Sequence, residues 1–345
     1  MKRKCAILKK PEEFEIVSEE LPNINPNEVL VEVEAIGLCH SDLPTYYGEG
    51  QVGFDGYGHL TMIKDIEYPT HIGHESVGVI KEVGSEVTNY KVGDYVGFIP
   101  AVSGFASHLI VPAEFCIPIP KQIKRDELKY CLVEPLMCVG NIVHAATPKL
   151  GETVAVVGCG MMGLLTIAGL KHSGASKIIA VDVLDERLQI ARSYGATDTI
   201  NPGDIDDITY CVDELTESLG VDIVVEITGN LKGLKTALKL VKYGELLESA
   251  GRGKILVPSL YAKEDKWDPE IGYELAFRAP IIHSVHPSYS EDYIKTAKDS
   301  IEGFKKGILP IRDFITHEFS LEEIQSAFNV MQQGSDGYLK GIIIP

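Results

Sequence analysis

Apolar and polar positions change rhythm once along this chain, near residue 139. Before that point, apolar residues come in short runs separated by turn formers. Positions 29–35 alternate towards their end, 76–83 are β-branched between Gly73 and Gly84, and 91–96 follow a turn. A period of two fits strands with one buried face. Prolines at 22, 26, 100, 112, 118 and 120 punctuate the remainder. The pattern predicts a small, largely antiparallel β-barrel over residues 1–120.

Beyond residue 139, short apolar runs at 153–157, 177–183, 221–226, 254–257 and 280–285 alternate with helical periods. The helices fall at 161–170, at 185–194 with Leu188 and Ala191 inward, and at 231–241. Strand–helix alternation of this kind predicts a parallel sheet with helices on both faces. Two further helical stretches, 291–305 and 320–332, precede an apolar strand at 341–344. That strand needs a sheet to join, so the chain is expected to return to its first domain. The expected domains are 1–139 with 287–345, and 140–286.

At 345 residues the chain is too long for one ordinary core, in keeping with two domains. A net charge of −18 argues against nucleic acid and acidic membranes as partners. It leaves room for an anionic cofactor, because helix N-termini bind phosphates. The seven cysteines are odd in number and none forms a Cys-x-x-Cys pair. This is no disulfide framework and points to the reducing cytoplasm. Neither a signal-peptide core nor a stretch long enough to span a bilayer is expected.

The sequence Gly-Cys-Gly-Met-Met-Gly at 158–163 follows a predicted strand and opens a predicted helix. Gly158 permits a tight turn, Gly160 lets a pyrophosphate approach the backbone, and Gly163 allows close helix–strand packing. Met161 and Met162 complete the turn, and Arg187 in the next helix is grouped with them as a cofactor residue. Asp182 lies 24 residues after Gly158. Its carboxylate suits ribose hydroxyls and would repel a 2′-phosphate, favouring NAD over NADP. The plainer alternative is a buried turn with Asp182 capping the helix at 185.

Three further segments carry metal-ligand chemistry: Gly-Leu-Cys-His-Ser-Asp at 37–42, Gly-His-Glu at 73–75 and Val-Glu-Pro-Leu at 133–136. They supply Cys39, His74, Glu75 and Glu134, a mixed set suited to one open zinc site. Alone, Cys39 reads as a small buried residue, His74 as a loop histidine and Glu75 as a solvated acid. Cys131 and Cys138 near Glu134 are rival, softer ligands. A metal that polarises an alcohol oxygen, beside a cofactor that takes hydride, points to alcohol oxidation or carbonyl reduction.

With these motifs the chain resembles the zinc-dependent medium-chain dehydrogenase/reductase family over essentially its whole length. Glu134-Pro135-Leu136 is closer to the sorbitol, threonine and glucose dehydrogenase branch than to the liver alcohol dehydrogenase branch, which has a cysteine there. The resemblance implies a GroES-like catalytic barrel domain interrupted in sequence by a doubly wound, parallel-sheet Rossmann domain. It implies one zinc on Cys39, His74 and either Glu134 or Glu75, with water completing the shell. Ser41 would accept or relay the hydroxyl proton, Glu75 would hold or enter the metal shell, and His40 would touch the pyrophosphate of NAD. The substrate would be a secondary alcohol of a polyol, sugar or cyclitol, and the protein a homodimer or homotetramer.

Two positions depart from the family. Many relatives carry a four-cysteine lobe for a structural zinc, but only Cys116 and Cys131 fall between Val92 and Glu134. Pro44 stands where relatives often have a relay histidine. The segment 46–69 is also longer than expected, with Tyr46, Tyr47, Tyr57, His59 and Tyr68. It reads either as a wall of the substrate pocket or as an ordered surface loop. His283 and His286 read as packing residues. The alternatives are a metal-free quinone or enone reductase of the same superfamily, or a non-catalytic nucleotide-binding protein.

Overall fold

The computed structural model describes residues 1–54, 60–99, 104–205, 207–244, 252–261, 266, 268–286, 292–334 and 337–345. The chain forms two compact units, Met1–Leu136 with Ile311–Pro345, and Met137–Pro310.

The first unit is built on the strand Glu28–Gly37. Its middle alternates, with Val31, Val33 and Ala35 buried and Glu32 and Glu34 turned towards solvent. Its end, Ala35 to Gly37, is buried throughout. One edge pairs with Glu75–Val83, which continues through Tyr95–Phe98 to Cys116–Ile119. The strand His108–Pro112 and the C-terminal strand Lys340–Ile344 also pair with it. Gly37 faces Ile342 in that register, so the expected return of the chain to the first unit is observed. Pairing is antiparallel except between Lys340–Ile344 and Ile315–Ser320. A second sheet orders Glu13–Glu20, Lys2–Lys10 and Phe105–Ala106. Phe98, Phe105 and Phe328 fill the core.

Three tyrosines of the segment 46–69 bond within their own unit. Tyr46 is 3% exposed and packs on Phe328, with ring centroids 4.9 Å apart. Its hydroxyl accepts from Gln325 Nε2 at 2.7 Å. Tyr68 donates to the Thr45 carbonyl at 3.1 Å, and Tyr47 to Gln332 at 2.6 Å. The hydroxyls of Tyr46, Tyr47 and Tyr68, for which a substrate-facing role is one of two readings, are thus tied to their own unit. Aromatic rings at this spacing bury well against phenylalanines. Gln51–Phe54 and Leu60–Ile63 form a separate two-stranded sheet. Tyr57 and His59 lie outside the described residues.

The second unit holds a six-stranded parallel sheet. Its order is Asp198–Ile200, Lys177–Val181, Thr153–Val157, Ile223–Glu226, Lys254–Val257 and Ile281–Ser284. The winding direction reverses between the third and fourth of these, the usual ligand crevice of such a sheet. The central strands are buried on both faces, as their unbroken apolar runs require. Helices Met161–Leu170, Asp185–Tyr194 and Leu231–Leu240 fall where the periodicity put them.

The second domain boundary differs from expectation. The helix Tyr293–Lys305 belongs to the second unit, so the crossing lies at 310/311 and not at 286/287. Packing explains this: a Cβ on Gly140 would lie 2.0 Å from Ser300 Oγ, and one on Gly169 3.3 Å from Leu309. His283 is also not packed, since its strand Ile281–Ser284 is exposed along its whole length. Among the described residues, no helix is long and apolar enough to cross a membrane.

Candidate metal and dinucleotide sites

The strand Glu28–Gly37 delivers the chain to Cys39, where the backbone is still extended. A single tight turn, His40–Asp42, then reverses it. The neighbouring strand opens at Glu75, with His74 immediately before it. Pairing of Gly37 with Glu75 draws the two segments together. The ligand atoms of Cys39, His74 and Glu75 all lie within 4.8 Å of one another.

Several neighbours order this group. Asp42 Oδ1 lies 3.1 Å from His74 Nδ1 and accepts from the Gly73 amide at 3.3 Å. A carboxylate on one ring nitrogen leaves the other, Nε2, for a metal. Burial opposes charge on His74, but Asp42 and then Cys39 outweigh it and hold its pKa well above the usual imidazole value. Ser41 Oγ donates to Cys39 Sγ at 3.1 Å and lies 3.3 Å from His74 Nε2. His40 is exposed on the same turn.

Lys340 lies behind Glu75. Its Nζ donates to Glu75 Oε1 and to the Leu38 carbonyl, each at 2.7 Å, and lies 2.5 Å from Oε2. Burial works against its charge, yet Glu75 raises its pKa above the ordinary lysine value. Gly37 makes the space: a Cβ there would fall 1.9 Å from Glu75 Oε2. Asp42 Oδ2 is buried without a hydrogen bond, and Glu75 Oε2 is met by the Lys340 ammonium alone among the described residues. A thiolate donor, an oriented imidazole and a carboxylate oxygen with spare lone pairs fit a zinc ion.

Glu134 is buried in the first turn of the helix Val133–Ala146 and lies outside the three-residue group. The adjacency of Glu75 to His74, and the gap left by Gly37, bring Glu75 there instead. Cys131 is fully buried, which pushes its thiol up to about 12, and it lies outside the group. Cys138 lies outside the group as well.

In the second unit the glycines at 158–163 do three different jobs. Gly158 has φ +101°, open to glycine at little cost. A Cβ on Gly163 would lie 1.9 Å from the Gly158 carbonyl, so the helix Met161–Leu170 packs tightly on the turn. A Cβ on Gly160 would meet nothing within 4 Å, which leaves open the face a pyrophosphate would occupy. Met161 is buried, and Met162 follows it in the first turn. Asp182 Oδ2 accepts from Cys159 N at 2.7 Å and Oδ1 from Leu184 N at 3.0 Å. Its carboxylate is therefore fixed at the rim of the turn. Arg187 is half-buried and near enough for its charge to act on the Cys159 thiol.

Comparison with known proteins agrees with both halves. The family model for the alcohol dehydrogenase GroES-like domain matches residues 25–121, and that for zinc-binding dehydrogenases matches 162–259. Sorbitol dehydrogenase from Bacillus subtilis is 30% identical, with 99% of this chain and 97% of that protein covered. L-threonine 3-dehydrogenase from Bacillus velezensis is 29% identical, with 99% and 98% covered. This chain belongs to the zinc-dependent medium-chain dehydrogenase family. An Escherichia coli oxidoreductase/dehydrogenase of unknown specificity shares the fold with a TM-score of 0.80 at 27% identity, over 100% and 99% of the two chains. The family is an oxidoreductase family acting on alcohols, with zinc and a nicotinamide dinucleotide as cofactors.

Sequence reasoning assigned no role to Asp42 or Lys340. Asp42 was visible as the last residue of 37–42, three residues after the cysteine ligand. Lys340 carried no local signal, because 265 residues separate it from Glu75.

Proposed function

We propose that this protein transfers hydride between NAD and a secondary alcohol or ketone, at one zinc held by Cys39, His74 and Glu75. The observation that carries this reading is the convergence of those three ligand atoms in front of Asp42. When bound, zinc stabilises the negative charge that develops on the substrate oxygen and NAD accepts the hydride. Ser41, the hydroxyl beside Cys39 and His74, receives the alcohol proton and passes it to solvent. With Pro44 at the position where relatives often carry the relay histidine, water or the cofactor ribose continues the path. Lys340 balances the charge of Glu75, and Glu134 remains outside the resting shell. His40 is assigned to the pyrophosphate. Gly158, Gly160, Met161, Met162, Gly163, Asp182 and Arg187 form the dinucleotide side, with Asp182 favouring NAD over NADP. The two units serve as the GroES-like catalytic and Rossmann domains.

The substrate is a polyol, sugar or cyclitol. Support comes from similarity to a sorbitol dehydrogenase, and no longer from the tyrosine hydroxyls. NADH formation across polyols, sugars, cyclitols and L-threonine tests this. Turnover of threonine alone would move the protein to the amino-alcohol side of its branch. Elemental analysis should give one zinc per chain; two, or none after zinc-replete purification, would contradict the site.

A homo-oligomer is inferred from the sheet edge Ile281–Ser284, where Ile281 and Ile282 are 46% and 49% exposed. The preceding helix exposes Tyr273 and Phe277. Among the described residues no strand pairs with its outer edge, and an apolar edge strand favours pairing with a second copy. Ile282→Lys should shift sedimentation towards monomer, and an unchanged profile would count against this edge. Seven free cysteines support a cytoplasmic location.

A further inference from the structure

Glu226 ends the strand Ile223–Glu226 and is fully buried, yet neither candidate site uses it. A carboxylate taken out of water is costly unless donors surround it. Thr228 N and Thr228 Oγ1 donate to its Oε1 at 2.8 and 2.5 Å, and Tyr261 Oη donates to its Oε2 at 2.5 Å. Gly233, in the first turn of the helix Leu231–Leu240, lets the carboxylate approach that helix N-terminus. A Cβ there would lie 2.5 Å from Oε1. The helix dipole adds favourable potential at that end.

Position gives this arrangement a consequence. Glu226 pairs with Val157, so it stands one residue before the level of Gly158 at the point where the sheet reverses. The turn that follows, 227–229, lies against the glycine turn. Ile227 N donates to the Val157 carbonyl at 3.0 Å. A Cβ on Gly158 would lie 2.9 Å from Thr228 Cγ2, and one on Gly163 3.4 Å from Ile227 Cγ2. From the other side, a Cβ on Gly229 would sit 3.0 Å from the Leu260 carbonyl, next to Tyr261. An apolar residue at 226 would fill the space without a buried polar group. It could not fix Thr228 and Tyr261 at once.

We propose that Glu226 is a positioning residue for the nicotinamide cofactor: latched by Tyr261, it holds the turn 227–229 against the glycine turn and so sets dinucleotide affinity. This rests on the reading that the dinucleotide binds at 158–163. The test is fluorescence titration of zinc-loaded, full-length protein with NADH, well below its melting temperature. Tyr261→Phe removes one hydrogen bond to a buried carboxyl group and should weaken NADH roughly tenfold. Glu226→Ala should weaken it further, and Glu226→Gln, which keeps an acceptor for Thr228, should recover part of the loss. KM for NAD should rise by the same factor while kcat changes less than about twofold. A merely structural role would lower the melting temperature and leave NADH affinity within twofold of wild type. That result in Tyr261→Phe overturns the proposal, even if Glu226→Ala does not fold. Wild-type protein that binds no NADH would overturn the cofactor reading, and this proposal with it.

Discussion

Deleting the Asp42 carboxylate should loosen zinc while leaving the dinucleotide half untouched. Asp42 Oδ1 holds His74 Nδ1 at 3.1 Å and the Gly73 amide at 3.3 Å, which fixes both the ring and the backbone before it. Asp42→Ala frees the imidazole to rotate and to carry its proton on either nitrogen. Groups that orient ligand histidines contribute about 10–100-fold to metal affinity, or about 1.4–2.7 kcal/mol. Only 8% of this carboxylate side chain is exposed, so water screens it weakly and the upper part of that range applies. Asp42→Asn keeps the size and one acceptor oxygen but loses the charge, and should cost about tenfold or less. Competition against a chromogenic chelator, in fully reduced protein, measures both. NADH affinity serves as the internal control. Zinc affinity of Asp42→Ala within twofold of wild type would refute the reasoning. So would an equal loss in NADH affinity, since that would report general damage.

Four other outcomes are expected. Gly37→Ala places a methyl on Glu75 Oε2 and should lower zinc content and melting temperature together, at about 1–3 kcal/mol of overpacking, measured by elemental analysis and thermal denaturation. Tyr46→Phe should cost about 1 kcal/mol in denaturant unfolding and leave KM for the best polyol unchanged, because its hydroxyl serves Gln325 and not a substrate. Asp182→Ala should narrow the ratio of kcat/KM for NAD over NADP, and equal use of both cofactors by the wild type would remove the premise. Cys131→Ser should leave zinc content at wild-type level, and loss of metal there would mean that a second thiolate belongs to the shell.

The sequence carried most of what is local. A short apolar run, three spaced glycines and an acid downstream sufficed to locate the strand Thr153–Val157 and the helix Met161–Leu170, with Asp182 at the turn. Cys39 and His74 were visible as motifs, but the competition between Glu75 and Glu134 was not decidable from spacing. What brings the Glu75 carboxylate beside Cys39 and His74 is strand register and the gap at Gly37, which a one-dimensional pattern does not contain. Lys340 was invisible for the same reason. For Tyr46 the sequence leaves pocket wall and ordered loop equally open, because its neighbours Phe14 and Phe328 are far away in sequence. The sequence does not place the helix Tyr293–Lys305 in its unit, because amphipathic period reports that a helix packs, not on what.

The ion pair between Glu75 and Lys340 also orders events in time. A ribosome makes Cys39, His74 and Glu75 long before it makes Lys340, 265 residues after Glu75. Until the strand Lys340–Ile344 docks beside Gly37, the Glu75 carboxylate has no lysine and must stay wet or take a metal as its counter-charge. Docking of that late strand is therefore what supplies Glu75 with its buried counter-charge.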